Sequence, residues 1–240
     1  MNIVVYKDYR EMSQMAALMA AENISATKEQ LISFPGGDTP LGMVEAFTGM
    51  VNNKTVDISH TRYVQLDEWI GLGEHEKGSC AFFTRINLLE KLQYPFLEFF
   101  LINGLAPDIQ QECSRLNGFI KRYGPLDLSV LGIGLNGHLG FNEEGADFEN
   151  DAYITSLSET TKKVMGKYFD RELKLEFGIT QGFRQIMAAK KVILLANGSH
   201  KASIIKKALT GLVTNAVPAS ILQRHNDCTV ILDSEAAQEL

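Results

Sequence analysis

Residues 126–143 read LDLSVLGIGLNGHLGFNE, and this stretch decides how the rest of the chain is arranged. Its first half is rich in Leu, Val and Ile, which is typical of a strand buried on both faces of a sheet. Its second half changes to Gly-x-Gly-x-x-Gly and brings His138 and Glu143 into the following loop. Open α/β sheets carry their chemistry in such loops, at the carboxyl edge of the sheet. We therefore predict a functional loop here; the alternative is a tight glycine turn with a structural histidine.

The same glycine spacing occurs in dinucleotide-binding folds, where the loop opens a helix directly near the start of a βαβ unit. Here the loop lies in the middle of the chain, and residues 138–145, HLGFNEEG, are a poor helix opening. The context therefore argues against a dinucleotide site.

Composition narrows the class of protein. A chain of 240 residues with 45% hydrophobic residues can bury a substantial core, and we predict a single domain over residues 1–240. A net charge of −6 without a Lys/Arg-rich block argues against a nucleic-acid partner. No apolar run is long enough to span a membrane, and residues 1–8 do not resemble a secretory signal. Three scattered cysteines show no metal-ligand or redox spacing, which predicts a cytoplasmic protein without a metal site.

Short apolar runs alternate with segments of helical spacing along the chain. Besides the opening strand, strands are predicted at residues 3–6, 31–34, 62–66, 99–102, 153–157, 191–196 and 229–232. Helices are predicted at residues 9–22, 41–51, 80–92, 109–122 and 200–209, with a helix start near 158–161 and one helical turn at 218–222. This alternation predicts an α/β fold with a mainly parallel sheet covered by helices on both faces.

The sequence Gly36-Gly37-Asp38-Thr39-Pro40 lies between a predicted strand and a predicted helix. Thr39 is predicted as the N-cap and Pro40 as the first helical residue. Free backbone N–H groups at such a helix start form an anion site, although an ordinary capped turn has the same sequence pattern. Asp38 counts against an anion, because its carboxylate would have to point away. Lys201 follows another strand-to-helix junction and would supply a cation, although most lysines are simply solvated.

Asp67 and Glu68 end a predicted strand beside the only tryptophan, Trp69. Consecutive carboxylates usually face water in a loop. The functional alternative is that Asp67 is a general base whose pKa is raised by partial burial. Glu68 is then expected to point away from the ligand and to support the loop.

Together these stretches resemble the glucosamine-6-phosphate deaminase (glucosamine-6-phosphate isomerase) family. The matching segments, in the family's order and over nearly the whole chain, are residues 36–42, 66–72, 132–143, 188–195 and 217–223. The segment Gly-His-Leu-Gly-Phe-Asn-Glu at residues 137–143 is the most specific of them.

The resemblance implies a Rossmann-like sheet that binds an amino-sugar 6-phosphate and uses neither a metal nor an organic cofactor. It implies that His138 moves a proton between the ring oxygen and the anomeric hydroxyl, while Asn136 and Glu143 orient and charge the imidazole. Asp67 would then shuttle a proton between C2 and C1, and hydrolysis would release ammonium and a ketose 6-phosphate.

The family's phosphate site falls on Gly36, the amides of residues 37–39, Lys201 and Lys167. Asp38 stands where relatives usually carry a small residue, and Lys167 replaces a bidentate arginine by a point charge. Residues 153–156 lack the basic side chains that bind N-acetylglucosamine 6-phosphate in the allosteric members.

The substrate's configuration at C4 stays open, because Trp69 and residues 78–80 resemble the galactosamine-6-phosphate branch. Two other functions are compatible with parts of the sequence. One is a 6-phosphogluconolactonase-like hydrolase, since these enzymes look like relatives with the same fold and phosphate loop. The other is a non-catalytic sugar-phosphate sensor. Residues 141–143 favour the deaminase, and no helix-turn-helix segment of a sensor is found. Both a monomer and a homo-oligomer are compatible with the sequence.

Overall fold

The computed structural model describes residues 1–169 and 173–240, without the side chains of Val164, Met165 and Lys167. The strands are β1 (Asn2–Tyr6), β2 (Gln30–Ser33), β3 (Thr61–Val64), β4 (Asp67–Trp69), β5 (Glu98–Phe100), β6 (Leu128–Gly132), β7 (Tyr153–Ser156), β8 (Phe177–Thr180), β9 (Lys191–Ala196) and β10 (Cys228–Asp233). The α-helices are α1 (Tyr9–Glu22), α2 (Asp38–Asn52), α3 (Cys80–Asn87), α4 (Ile109–Tyr123), α5 (Glu159–Met165), α6 (Phe183–Met187) and α7 (Ala202–Thr210). Short 3-10 helices lie at Leu89–Lys91, Gly166–Tyr168, Ser199–Lys201 and Pro218–Arg224.

The main sheet has seven strands in the order β1-β10-β9-β6-β2-β3-β5, and all its pairs are parallel. The opening strand of the sequence, β6, is its central strand. Along β6, Leu128 and Val130 pack in the hydrophobic cluster that contains α1 and α2, whereas Leu131 packs in the cluster that contains α4 and α7. Successive side chains of a strand point to opposite faces, so helices cover both faces of the sheet. The predicted fold class is confirmed.

A second, antiparallel sheet was not predicted. It has three strands in the order β4-β8-β7, and it pairs Asp67 with Thr180 and Tyr153 with the same Thr180 from the other side. Strand β4 contains three residues and β8 contains four, including a glycine. Such short segments give no readable periodicity. In addition, β8, the pairing partner of β4, lies more than one hundred residues further along the chain.

The helix boundaries that differ most from the sequence prediction are the start of α2 and the end of α3. Helix α2 begins at Asp38 with Gly37 as its N-cap, so Thr39 is not the N-cap and Pro40 is not the first helical residue. The helix predicted at residues 80–92 ends at Asn87, after which Leu89–Lys91 form a 3-10 helix. In the described part of the chain, no helix is long and apolar enough to cross a membrane.

Candidate active site

A cavity of about 620 Å³ lies at the carboxyl edge of the main sheet. The segments that follow β2, β6 and β9 line it, together with β4, the start of α3 and residues of α5. In the strand order, β2, β3 and β5 lie on one side of β6, and β9, β10 and β1 lie on the other. The cavity is therefore at the point where the direction of winding reverses, which is where open α/β sheets bind ligands.

One end of the cavity is the N-terminus of α2. Gly37 has φ +102°, a backbone conformation that residues other than glycine rarely adopt. This turn lets the chain enter the helix a few residues after β2. No side chain caps this helix start. The positive end of the helix dipole and the early N–H groups therefore face the cavity without a competing cap. Pro40 contributes no N–H at the third helical position.

Long-range contacts hold the segments around this helix start in place. The Thr39 hydroxyl donates a hydrogen bond to Asn197 Oδ1 at 2.7 Å, which ties α2 to the segment after β9. Lys201 Nζ donates to the carbonyl of Ile133 at 2.6 Å, just beyond the end of β6. The lysine is thereby held against the start of the Gly-rich loop.

Asp67 and Glu68 are both buried, at 8% and 0% exposure, so the solvated loop is ruled out. Because they are neighbours on β4, their side chains point to opposite sides. Asp67 lines the cavity. Burial raises the pKa of Asp67 to about 6, against the lowering effects of a hydrogen bond with the Cys80 thiol and of the nearby His138.

Glu68 turns away from the cavity and holds the start of α3. Its carboxylate accepts hydrogen bonds from the backbone N–H groups of Trp69 (2.8 Å), Cys80 (3.0 Å) and Ala81 (2.7 Å), and from the Gln65 side chain (3.2 Å). Burial raises the pKa of Glu68, and these four hydrogen bonds oppose that rise. The expectation that Glu68 supports the loop is confirmed. The anchoring also fixes Cys80 beside Asp67.

The Gly-rich loop brings the imidazole of His138 against its own backbone. A Cβ atom at Gly134 would lie 2.3–2.5 Å from three atoms of the His138 ring, so only glycine leaves room for it. The loop is closed by hydrogen bonds from Gly134 N to the His138 carbonyl and from Gly137 N to the Gly134 carbonyl, both 3.0 Å. His138 therefore has a fixed position on the cavity wall.

Behind the imidazole lies a carboxylate held by several donors. Glu143 Oε2 is 3.4 Å from His138 Nδ1 and accepts from Asn136 Nδ2 at 2.7 Å. Its other oxygen accepts from the Ser158 backbone N–H at 3.2 Å. Burial raises the pKa of Glu143, but the interactions with His138, Thr161 and Asn136 lower it further, to about 2. Glu143 is thus ionised at neutral pH and faces Nδ1 of the imidazole.

Two residues at this site were missed in the sequence. Ser158 caps α5 by accepting from the Thr161 N–H at 3.2 Å, and its hydroxyl donates to Thr161 Oγ1 at 3.1 Å. Thr161 Oγ1 also lies 3.2 Å from His138 Nδ1. The only signal in the sequence was the capping pattern itself, which predicted a helix start and said nothing about His138.

The predicted site residues fall into three groups. Seven of them line the cavity: Gly36, Gly37, Asp38, Thr39, Asp67, His138 and Lys201. Asn136 and Glu143 are not among the lining residues and contact each other beside His138. The side chain of Lys167 lies outside the described residues. Within the described ranges, no group of three or more His, Cys, Asp or Glu side chains could hold a metal ion.

The sheet and its cavity define a doubly wound α/β protein with a buried carboxylate and an imidazole beside a helix N-terminus. Residues 8–231 match the family model of glucosamine-6-phosphate isomerases/6-phosphogluconolactonase. The chain belongs to this family.

Several known proteins are similar to this chain over its whole length. Glucosamine-6-phosphate deaminase of Clostridium novyi is 37% identical over 241 residues, covering 100% of both chains, and the enzyme of Clostridium perfringens is 36% identical over 242 residues with the same coverage. A solved structure of a monomeric glucosamine-6-phosphate deaminase superposes with a TM-score of 0.95 at 30% identity, covering 100% of both chains. The 6-phosphogluconolactonase of Trypanosoma brucei, at 19% identity, a TM-score of 0.75 and coverage of 100% and 98%, shares the fold.

Proposed function

We propose that the protein converts an amino-sugar 6-phosphate, glucosamine 6-phosphate or galactosamine 6-phosphate, into a ketose 6-phosphate and ammonium. The observation that carries the proposal is that a buried carboxylate, Asp67, and an imidazole, His138, line one cavity that ends at the N-terminus of α2. The activity named for the Clostridium relatives, which match the whole chain, supports it. The proposal needs both sheets in one domain, because Asp67 lies on the small sheet and the other groups lie on loops of the large one.

The phosphate of the substrate binds at the start of α2. The backbone N–H groups of residues 37–39 and the helix dipole favour a dianion there, and Lys201 adds a positive charge. We assign Lys167 to the same phosphate on the basis of the family resemblance. Asp38 places a negative charge in this turn, which weakens the attraction of the helix start for a phosphate. Lys201 and Lys167 therefore contribute the larger share of the phosphate affinity.

His138 opens the sugar ring. An imidazole gives and takes protons near neutral pH, so it can take the proton of the anomeric hydroxyl and return one to the ring oxygen. Glu143, ionised and 3.4 Å from Nδ1, stabilises the imidazolium that forms between these two steps. Asn136 holds Glu143 in position.

Asp67 catalyses the isomerisation. The open-chain aldose loses the proton at C2 to the Asp67 carboxylate while O1 takes up a proton, which yields an enolamine. The same carboxyl group then returns its proton to C1 while the amino nitrogen gives one up, so the net change is a shift of one proton from C2 to C1 and one from nitrogen to O1. A pKa of about 6 makes Asp67 a stronger base than an ordinary aspartate while leaving it ionised at neutral pH. The product is an imine at C2. Water adds to this imine, and the amine leaves as ammonium, so one water is consumed for each ammonium released.

The alternative is hydrolysis of a sugar-phosphate lactone, since the family model covers both activities. That reaction involves no proton transfer at C2 and would leave the raised pKa of Asp67 and the Glu143–His138 pair without these roles. The solved 6-phosphogluconolactonase structures are 17–19% identical to this chain and support only the common fold.

A direct assay tests the proposal. Purified protein is incubated separately with glucosamine 6-phosphate, galactosamine 6-phosphate and 6-phosphogluconolactone, and both ammonium and acid release are recorded. We expect ammonium from one or both amino sugars. Acid release from the lactone without ammonium would replace the proposal by the lactonase, and binding without turnover would favour a sensor.

The role of His138 has its own test. His138→Gln is expected to lose most activity on the cyclic sugar, whereas solvent-deuterium exchange at C2 of an open-chain analogue should survive better. His75→Gln, at a histidine with 78% side-chain exposure that does not line the cavity, is the matched control and should change neither measurement. Equal loss of both activities in His138→Gln would assign this residue another role.

A further inference from the structure

The hydroxyl of Thr161 is in hydrogen-bond contact with two side chains of the site. Ser158 Oγ donates to it at 3.1 Å, and His138 Nδ1 lies 3.2 Å away. The Thr161 side chain also helps to lower the pKa of the Glu143 carboxylate. Thr161 is 1% exposed and is fixed by the first turn of α5. The contact with Nδ1 is shorter than the 3.4 Å between Nδ1 and Glu143.

The hydrogen atoms around this hydroxyl can be assigned by counting donors and acceptors. Ser158 Oγ already accepts from the Thr161 N–H (3.2 Å) and from Asn136 Nδ2 (3.3 Å), so its own hydrogen goes to Thr161. The hydroxyl of Thr161 then has one hydrogen and one remaining acceptor site for His138 and Glu143. Glu143 is ionised and can only accept.

One arrangement places no two acceptors against each other. Nδ1 of His138 carries a hydrogen that it donates to Thr161, and the Thr161 hydrogen is then directed towards the Glu143 carboxylate, whose pKa it lowers. In the opposite arrangement Thr161 donates to a bare Nδ1, whose lone pair would then face the negative charge of Glu143 at 3.4 Å. That arrangement places two acceptors against each other in a largely buried site, which is unfavourable.

We infer that Thr161 is a positioning residue that keeps the proton of neutral His138 on Nδ1, so that Nε2 is the unprotonated nitrogen available to the substrate. This inference rests on the proposed function, because a base at Nε2 is what ring opening requires. It also explains why α5 is joined to the Gly-rich loop: Ser158, Thr161 and Asn136 form one hydrogen-bonded group around Glu143.

The test combines kinetics with a spectroscopic measurement of the histidine tautomer. Thr161→Val keeps the shape and removes the hydroxyl, whereas Thr161→Ser retains it. We expect Thr161→Val to lower kcat for the cyclic sugar roughly 10–100-fold, the effect of losing a hydrogen bond within a charged pair, with little change in KM. Thr161→Ser should restore most of this loss.

Nitrogen-15 NMR of histidine-labelled protein, with the His138 signals assigned from their absence in His138→Gln, reports the tautomer. We expect the Nδ1–H form in the wild type and in Thr161→Ser. In Thr161→Val, Nδ1 loses its 3.2 Å partner and keeps only the longer 3.4 Å contact with Glu143, so we expect a minor population of the Nε2–H form beside the Nδ1–H form. Thr48→Val is the matched control, since Thr48 is also buried and its hydroxyl donates to Val44 O at 2.7 Å within α2. It should reduce stability without changing the tautomer.

Several results would overturn the inference: an Nε2–H tautomer in the wild type, an unchanged tautomer in Thr161→Val, or a loss of activity that Thr161→Ser does not restore. A wild type that releases no ammonium would instead refute the proposed function. In that case the NMR comparison still decides whether Thr161 sets the tautomer.

Discussion

Replacing Asp67 by asparagine should lower kcat strongly and, above about pH 4, make the protein more stable. Asp67 is 8% exposed, and burial raises its pKa from an ordinary 3.8 to about 6. Each difference of one in pKa between the folded and unfolded states corresponds to about 1.4 kcal/mol, so the buried charge costs about 3 kcal/mol at pH 8. Asparagine has nearly the same shape and no charge, so this cost disappears.

The sign follows from proton binding. Because the pKa of Asp67 is higher in the folded state, the folded protein binds this proton more tightly than the unfolded chain does. Its favourable contribution to the free energy of unfolding is complete below about pH 4 and is lost as the pH rises through about 6. Between pH 4.5 and pH 8, Asp67→Asn should gain about 2 kcal/mol relative to the wild type, as measured by urea unfolding.

Glu68→Gln is the matched variant. Removing this buried charge is also favourable, but we expect the lost hydrogen bonds to outweigh that gain. The side-chain amide nitrogen of glutamine would face backbone N–H groups whose hydrogen bonds Glu68 now accepts. Each buried donor that is left unsatisfied costs about 1–3 kcal/mol. We expect Glu68→Gln to be destabilised and to retain deuterium exchange at C2. Asp67→Asn should lower kcat by about 10²–10⁴-fold. Exchange that persists in Asp67→Asn and disappears in folded Glu68→Gln would refute the assignment of the base.

Three further predictions concern the rest of the site. Lys201→Ala should weaken binding of the phosphorylated substrate by about 1.5–3 kcal/mol and leave an unphosphorylated sugar unaffected, whereas Lys206→Ala, at an exposed lysine of α7, should change neither dissociation constant. Cys80→Ala removes a hydrogen bond that lowers the pKa of Asp67, so the acidic limb of the kcat/KM–pH profile should move to higher pH; an unmoved limb would show that the thiol does not act on the base. The reaction rate should depend hyperbolically on substrate concentration and should not respond to N-acetylglucosamine 6-phosphate, because residues 153–156 carry no basic side chain. A sigmoidal curve that this sugar phosphate makes hyperbolic would contradict the prediction.

Much of the main sheet could be predicted because its signals are local. The apolar run of β6 and the glycines after it are adjacent in the sequence, and buried parallel strands need only such a run and a turn. The end of a strand also tells where a side chain will lie, since carboxyl ends of parallel strands share one edge. His138 and the turn at residues 36–40 follow strands of this sheet, and the structure places them with Asp67 around one cavity.

The small sheet and the start of α2 were decided by tertiary structure. Strand β4 is only three residues long and exists because β8 pairs with it, which buries two consecutive carboxylates that would otherwise face water. The N-cap of α2 is Gly37, and Thr39 lies inside the helix, where its hydroxyl donates to Asn197, 158 residues away. Local propensity cannot express either contact.

The sequence by itself determined which residue types are present for acid–base chemistry and which segments carry them. Only the tertiary structure decided how these groups act on each other: it placed Cys80 beside Asp67 through the anchoring of α3 by Glu68, and Thr161 3.2 Å from His138 through the capped start of α5. The physical reason is that a pKa or a tautomer depends on burial and on hydrogen-bond partners. These are fixed by contacts between segments that are far apart in the chain.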